Sequence, residues 1–235
     1  MKKCLDTNQL PRDLGLLDTS CQVLLCADSW GVPHEGLGLS THLDEYTSIQ
    51  NISCGGYNNY DILDSMEHAL SYHAYPTVIF IQSDLLRHRR DSNEDVLPHH
   101  IDLEKILVTR QKEILDRLDY IQVQYNTKIL CLGGLSRIDH YETHNVEVVM
   151  PSILNFLDNT IDTEKYSVHD GSGDLKLMGN LKHTNVGVWL EASDNYVNKY
   201  NRMMKRDISI CDGCHLNSDS FKKVADFLKK WLTKR

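Results

Sequence analysis

The sequence predicts an α/β fold in which a doubly wound, mainly parallel sheet lies between two layers of helices. Short, continuous apolar runs recur along the chain, and such runs suit strands that are buried on both faces of a parallel sheet. Stretches with apolar residues at helical spacing separate these runs, as in right-handed β-α-β units. The composition, 41% hydrophobic and 25% charged in 235 residues, is that of a globular domain.

The strands and helices are predicted in chain order. Four apolar runs predict strands at residues 23–27, 49–52, 77–81 and 128–132. A helix is predicted between the second and third strands, after a capping residue at Asp61, and a longer one between the third and fourth. A last helix is predicted after a cap at Asn217 or Ser218. Its apolar face consists of Phe221, Val224, Ala225, Leu228 and Trp231.

The chain is predicted to contain an N-terminal arm, residues 1–20, and one hydrolase-like domain, residues 21–235. The stretch from about residue 158 to residue 208 does not fit the alternation of strands and helices, because it is polar, rich in asparagine and longer than an ordinary connection. We expect it to be an inserted segment or a lid over the site. A surface excursion without a functional role is the alternative.

Charge and cysteine content narrow the classes of function. Lys and Arg number 25 against 33 Asp and Glu, so the net charge is −8, which disfavours binding of a nucleic-acid duplex. No apolar stretch approaches the roughly 20 residues of a membrane span, and no apolar signal core follows the N-terminal lysines. Seven cysteines, three of them within apolar runs, favour a reducing compartment, the cytoplasm. Oligomeric state is not predicted.

Polar residues follow the predicted strands at their carboxyl ends, where open parallel sheets bind ligands. Ser29 comes directly after the first strand, so its hydroxyl is expected to project from the sheet edge. The second strand runs into Gly55 and Gly56, which permit close backbone approach and positive φ, as an oxyanion-hole N–H often requires. The third strand is followed by Ser83 and Asp84.

A carboxylate and an imidazole precede the last helix. Asp212 lies three residues before His215, a spacing that lets the carboxylate hold one ring nitrogen while the other faces a serine. Ser29, Asp212 and His215 are therefore the candidate catalytic residues.

In their order along the chain, these blocks resemble those of the SGNH/GDSL hydrolase superfamily. Ala27-Asp28-Ser29 is similar to the Gly-Asp-Ser block, with alanine in place of the usual glycine. Gly56 occupies the position of the second block's glycine. Residues 81–84 fall on the Gly-x-Asn-Asp block, where Ser83 replaces the oxyanion-hole asparagine, and residues 212–215 match Asp-x-x-His. The pattern looks most like that of SGNH-type proteins encoded by tailed bacteriophages.

The resemblance implies a three-layer SGNH or flavodoxin-like fold and a serine-dependent hydrolase of an ester-type small or carbohydrate-linked substrate, with no cofactor and no metal. It implies an oxyanion hole built from Ser29, Gly56 and Ser83. Because serine replaces asparagine at position 83, three alternatives stay open: the Ser83 hydroxyl donates, Asn58 or Asn59 reaches in, or the site is not built for a tetrahedral acyl intermediate.

The expected substrate-binding residues are Asn58, Asn59, Asp84 and Arg87. Arg87 follows the third block closely, and a guanidinium there suits a phosphate as well as a carboxylate. A phage 5′-deoxynucleotide phosphomonoesterase on the same fold is therefore an alternative, located in the host cytoplasm if the chain is phage-encoded. A non-catalytic SGNH-fold binding or phage structural protein is another.

Two motif readings are disfavoured. Residues 211–215 spell Cys-x-x-Cys-His, the c-type haem attachment pattern, but no accompanying haem-domain pattern is visible and the pair lies too late in the chain for a thioredoxin-like motif. The 12 histidines show neither the i, i+4 helical spacing nor the Cys/His pairing of a compact zinc site.

Overall fold

The computed structural model describes residues 17–32, 37–83, 85, 103–134, 137–139, 141–157, 167–169, 175–177 and 216–232. Within these ranges, no helix is both long enough and apolar enough to cross a membrane.

A five-stranded sheet forms the centre of the described fold. Its strands are β1 (Val23–Cys26), β2 (Ile49–Asn51), β3 (Thr77–Gln82), β4 (Lys128–Gly133) and β5 (Glu147–Met150). They lie in the order β2-β1-β3-β4-β5, and all neighbouring pairs are parallel. The predicted doubly wound parallel sheet is thus confirmed. Sequence patterning missed β5, because this edge strand is only partly buried and begins with a charged residue.

Two further strands lie within the stretch that was predicted to be an insertion. They are β6 (Ser167–His169) and β7 (Leu175–Leu177), and they pair with each other antiparallel as a separate sheet. The division into an arm, a domain and an insertion stays a prediction.

The helices of the described residues are α1 (Leu39–Leu43), α2 (Asn59–Tyr72), α3 (Leu103–Gln124), α4 (Ile153–Leu157) and α5 (Ser218–Leu232). The predicted cap of α2 at Asp61 is wrong. Asn58 is the N-cap, since its Oδ1 accepts from the Asp61 N–H at 2.9 Å while the Asp61 carboxylate accepts from the Asn58 N–H at 3.3 Å. The helix therefore begins earlier, on a capping box. At α5, the side chain of Asn217 caps the Ser220 N–H at 2.9 Å.

Each face of the sheet has its own apolar core. Along β1, Leu24 and Cys26 belong to the cluster that includes residues of α2 and α3, whereas Val23 and Leu25 belong to the cluster that includes residues of α1, α4 and α5. Neighbouring residues of a strand point to opposite faces, so a continuous apolar strand needs cover on both. The result is the predicted three-layer α/β/α arrangement.

The strand order sets the position of the site. The chain passes from β1 outward to β2 on one side and then returns to place β3 on the other side of β1. This reversal is a topological switch point, and in open α/β sheets the crevice at the carboxyl ends of the two strands beside it is where ligands bind. Ser29 follows β1, and Ser83 follows β3, so both lie at this crevice.

Candidate active site

Ser29 begins a short 3-10 turn, Ser29–Gly31, directly after β1. Asp28 caps this turn, because its Oδ1 accepts from the Trp30 N–H at 2.9 Å, and the Trp30 side chain is buried in the core beneath. Ser29 is 8% exposed. Within the described part of the chain, no hydrogen bond engages its hydroxyl. The turn is therefore fixed by its neighbours while the serine oxygen stays available.

Gly31 ends the turn where it contacts the loop after β2. A Cβ atom on Gly31 would lie 2.5 Å from Ser53 Cβ and 2.8 Å from Ala27 Cβ, and it would also overlap Ser53 Oγ. The Asn51 side chain donates from Nδ2 to the Gly31 carbonyl at 2.8 Å and accepts the Ser53 N–H at 2.9 Å. Only glycine fits this approach, which holds the first and second sequence blocks together.

Gly55 and Gly56 form the turn that faces Ser29. The Tyr57 N–H donates to the Cys54 carbonyl at 3.3 Å across the turn, and Gly56 has φ 84°, a conformation that favours glycine. A Cβ on Gly55 would lie 4.0 Å from the Cβ of Ser29. The glycine turn thus lies beside the serine, at the distance of an ordinary van der Waals contact.

Ser83 is completely buried, and its hydroxyl points to the first block. Its Oγ donates to Asp28 Oδ2 at 2.5 Å and also lies 3.2 Å from the Tyr57 carbonyl. The Asn59 amide brackets the Ser83 main chain: Oδ1 accepts from the Ser83 N–H at 2.7 Å, and Nδ2 donates to the Ser83 carbonyl at 3.2 Å. Hydrogen bonds therefore connect the ends of β1 and β3 with the start of α2.

The structure brings together five of the predicted site residues: Ser29, Gly56, Asn58, Asn59 and Ser83. Asn58 and Asn59 serve the helix cap and the Ser83 backbone in the ways described above. The remaining predicted residues, Asp84, Arg87, Asp212 and His215, lie outside the described residues.

Two buried side chains form hydrogen bonds that hold the elements around the candidate site, and the sequence did not predict these bonds. His42 on α1 is buried, and its Nε2 lies 3.1 Å from Ser218 Oγ at the start of α5, the helix that follows the Asp-x-x-His block. On the other side, Gln111 of α3 donates to the Arg137 carbonyl at 2.8 Å and accepts the Asp139 N–H at 2.8 Å, which fixes the loop after β4. The sequence contains His42 and Gln111, but no local pattern identifies the partners of either side chain, which lie far away along the chain.

The Cys26 thiol, three residues before Ser29, is not a competing nucleophile. Cys26 ends β1 and is buried, and burial raises the pKa of its thiol well above the usual value. A buried, protonated thiol is unreactive. Across the described ranges, no group of three or more His, Cys, Asp or Glu side chains is placed to hold a metal ion.

No protein-family model matches the chain, and no curated protein matches it. Among solved structures, a Bacteroides fragilis protein provisionally assigned as an acylhydrolase aligns with a TM-score of 0.52 and 8% identity, covering 100% of this chain and 99% of that one. This likeness shows a shared fold.

Two other solved structures align with lower scores. A lipase/acylhydrolase from Enterococcus faecalis gives a TM-score of 0.44 with 10% identity, covering 89% of this chain and 94% of that one. A protein from Slackia heliotrinireducens, provisionally assigned as an SGNH hydrolase, gives 0.45 with 10% identity, covering 88% and 96% respectively.

Proposed function

We propose that this chain is a serine hydrolase of the SGNH/GDSL superfamily that cleaves esters of small or carbohydrate-linked molecules. The observation that carries the proposal is the placement of Ser29: it follows β1 at the switch point, on a capped turn, beside the Gly55–Gly56 turn. The fold that the chain shares with the Bacteroides fragilis protein, which bears an acylhydrolase assignment, adds support.

In the proposed reaction, Ser29 Oγ attacks the ester carbonyl carbon as His215 takes the hydroxyl proton, and Asp212 orients the imidazole. The tetrahedral oxyanion collapses to an acyl-enzyme, and His215 gives the proton to the departing alcohol. Water, deprotonated by His215, then attacks the acyl carbonyl carbon, and the second tetrahedral intermediate collapses as His215 returns the proton to Ser29 Oγ and the acid is released.

The developing oxyanion needs hydrogen-bond donors that are already in place. The backbone N–H groups of Ser29 and Gly56 are proposed for this role, because the glycine turn lies beside the serine and its positive φ at Gly56 fixes how the turn presents its amides. Asp84 and Arg87, which come shortly after β3 in the sequence, are proposed to line the substrate side.

Hydrolysis assays test this proposal. Wild type, Ser29→Ala and the control Ser71→Ala would be offered p-nitrophenyl acetate and butyrate, and deoxynucleoside 5′-monophosphates with and without Mg²⁺. Ser71 lies near the end of α2 and its hydroxyl bonds to the His68 carbonyl, away from the switch-point crevice. Ester cleavage that falls by roughly 10³-fold or more in Ser29→Ala alone is expected.

The nucleotide substrates distinguish hydrolysis of carboxylic esters from hydrolysis of phosphate monoesters. Phosphate release without ester cleavage by the wild type would replace the proposed reaction with a phosphomonoesterase. Ester cleavage that persists in Ser29→Ala would remove Ser29 as the nucleophile.

A further inference from the structure

Serine at position 83 is where this chain departs most clearly from the SGNH pattern, and the surroundings of its side chain suggest a different role for it. We propose that Ser83 is a positioning residue that acts on the nucleophile turn through Asp28, and that it donates no hydrogen bond to the reacting oxygen. The inference rests on the proposed function, because it concerns the oxyanion hole of that same site.

The Ser83 hydroxyl is committed to acceptors within the fold. The residue is 0% exposed, and its Oγ lies 2.5 Å from Asp28 Oδ2 and 3.2 Å from the Tyr57 carbonyl. The hydroxyl has one proton, and the 2.5 Å distance to Asp28 Oδ2 is that of a strong charge-assisted bond. Donating to an oxyanion would break this bond and leave a buried carboxylate oxygen without this donor.

The two nearby asparagines hold the structure around Ser83. The Asn59 amide holds the Ser83 N–H and carbonyl at 2.7 and 3.2 Å, and Asn58 Oδ1 accepts the Asp61 N–H at 2.9 Å as the cap of α2. Both residues are buried, with 2% and 1% exposure. The Asn59 amide donor is thus committed to the Ser83 carbonyl, and Asn58 is a buried helix cap.

The Ser83 hydroxyl holds the carboxylate of Asp28. Asp28 is completely buried, and its two oxygens join different elements: Oδ1 accepts from the Trp30 N–H of the nucleophile turn, and Oδ2 accepts from Ser83 at the end of β3. A carboxylate fixed at both oxygens cannot rotate, so it sets the turn's orientation. Ser29 lies between Asp28 and Trp30, and the direction of its N–H follows from that orientation. The oxyanion hole then has two backbone donors.

A double-mutant cycle tests the proposal on the full chain. The variants are Ser83→Ala, Asp28→Ala and the double substitution, with Ser83→Thr as the variant that keeps the hydroxyl. Their kcat and KM for p-nitrophenyl acetate and their rates of labelling by a fluorophosphonate would be compared. We expect Ser83→Ala to lower kcat about tenfold or more with little change in KM, since a small displacement of a reacting group is costly.

The effect of Ser83→Ala on kcat, measured in the wild-type chain and in the Asp28→Ala chain, distinguishes a positioning residue from a direct donor. If Ser83 acts through Asp28, Ser83→Ala changes kcat less than about twofold once Asp28 is alanine, and Ser83→Thr stays within about threefold of wild type. A direct donor would instead cost about 10²–10³-fold in both backgrounds, which would overturn the proposal. Should Asp28→Ala not fold, Asp28→Asn serves as the background, and the Ser83→Ala loss should then be at least threefold smaller than in wild type.

Stability keeps this inference separate from the proposed function. The midpoints of urea unfolding for wild type, Ser83→Ala, Asp28→Ala and the double variant report the Ser83–Asp28 link without any substrate. Strictly additive effects on the midpoints would refute the link even if the enzyme is active. Non-additive effects in a protein that neither hydrolyses esters nor reacts with the fluorophosphonate would instead refute the proposed function and the catalytic part of the inference, leaving the link.

Discussion

Replacing Gly31 with alanine should destabilise the fold and displace the turn that carries Ser29. The added Cβ would lie 2.5 Å from Ser53 Cβ and 2.8 Å from Ala27 Cβ. Both atoms are attached directly to backbone, so neither contact is relieved by rotating a side chain. Overpacking of this kind costs about 1–3 kcal/mol. For a domain of this size each kcal/mol lowers the melting temperature by roughly 2–4 °C.

The assay is thermal unfolding followed by circular dichroism, with fluorophosphonate labelling of the same samples. The matched control is Gly55→Ala, because a Cβ there would meet only Ser29 Cβ at 4.0 Å and Gly55 is not in the left-handed region. Its melting temperature should equal that of wild type or exceed it slightly, since alanine restricts the unfolded chain. Adding Ser53→Gly to Gly31→Ala removes two of the three close contacts and should recover about half of the loss or more.

A Gly31→Ala protein that melts within about 1 °C of wild type and reacts at the wild-type rate would refute this reasoning. It would mean that the turn and the loop after β2 are separated more widely than the 2.8 Å Asn51 to Gly31 hydrogen bond indicates.

Three further predictions concern other parts of the molecule. Gly56→Ala should cost about 1–2 kcal/mol in urea unfolding, because φ 84° disfavours a Cβ; an unchanged midpoint would contradict that conformation. The four buried cysteines should react with a thiol reagent at pH 8 only after unfolding, since burial raises the thiol pKa of Cys26 and Cys131. The chain has seven cysteines, so more than three rapidly reacting thiols in the native protein would contradict this prediction. The hydrogen bond to Asp226 raises the pKa of Tyr46 to about 12 and lowers that of Asp226. The tyrosine contribution to stability is therefore full below pH 10 and lost as the pH rises through about 12, whereas the aspartate contribution is lost as the pH falls through its lowered pKa. Tyr46→Phe should remove one phenol that titrates near pH 12 in ultraviolet absorbance, and an unaltered titration would count against the pair.

Much of the sheet was predictable from sequence because strands buried on both faces leave continuous apolar runs. The runs at β1, β3 and β4 were of this kind, and the shorter run at the edge strand β2 was predicted as well; each proved to be a strand. β5 was not predicted, because it is only partly buried and begins with a charged residue. The cap of α2 was misplaced since Asn58 and Asp61 are both good capping residues, and only the reciprocal bonds show which one begins the helix.

The candidate site was predictable to the level of its blocks but not of their contacts. A serine after a strand is also an ordinary turn former, so Ser29 and Gly56 were proposed because their blocks occur in the order of the SGNH/GDSL pattern. The bond from Ser83 to Asp28 joins residues 55 positions apart, so it depends on strand order and register, which local pattern does not contain. The close approach that demands glycine at Gly31 is a tertiary contact of the same kind.

The central claim is that Ser29 is the nucleophile of a serine hydrolase, and active-site labelling tests it most directly. Folded wild-type and Ser29→Ala proteins would be incubated with a fluorophosphonate and analysed by intact mass and peptide mapping. The account predicts one adduct per wild-type chain, located on Ser29, and none on Ser29→Ala. A folded wild-type chain without an adduct, or an adduct that persists in Ser29→Ala, would contradict it.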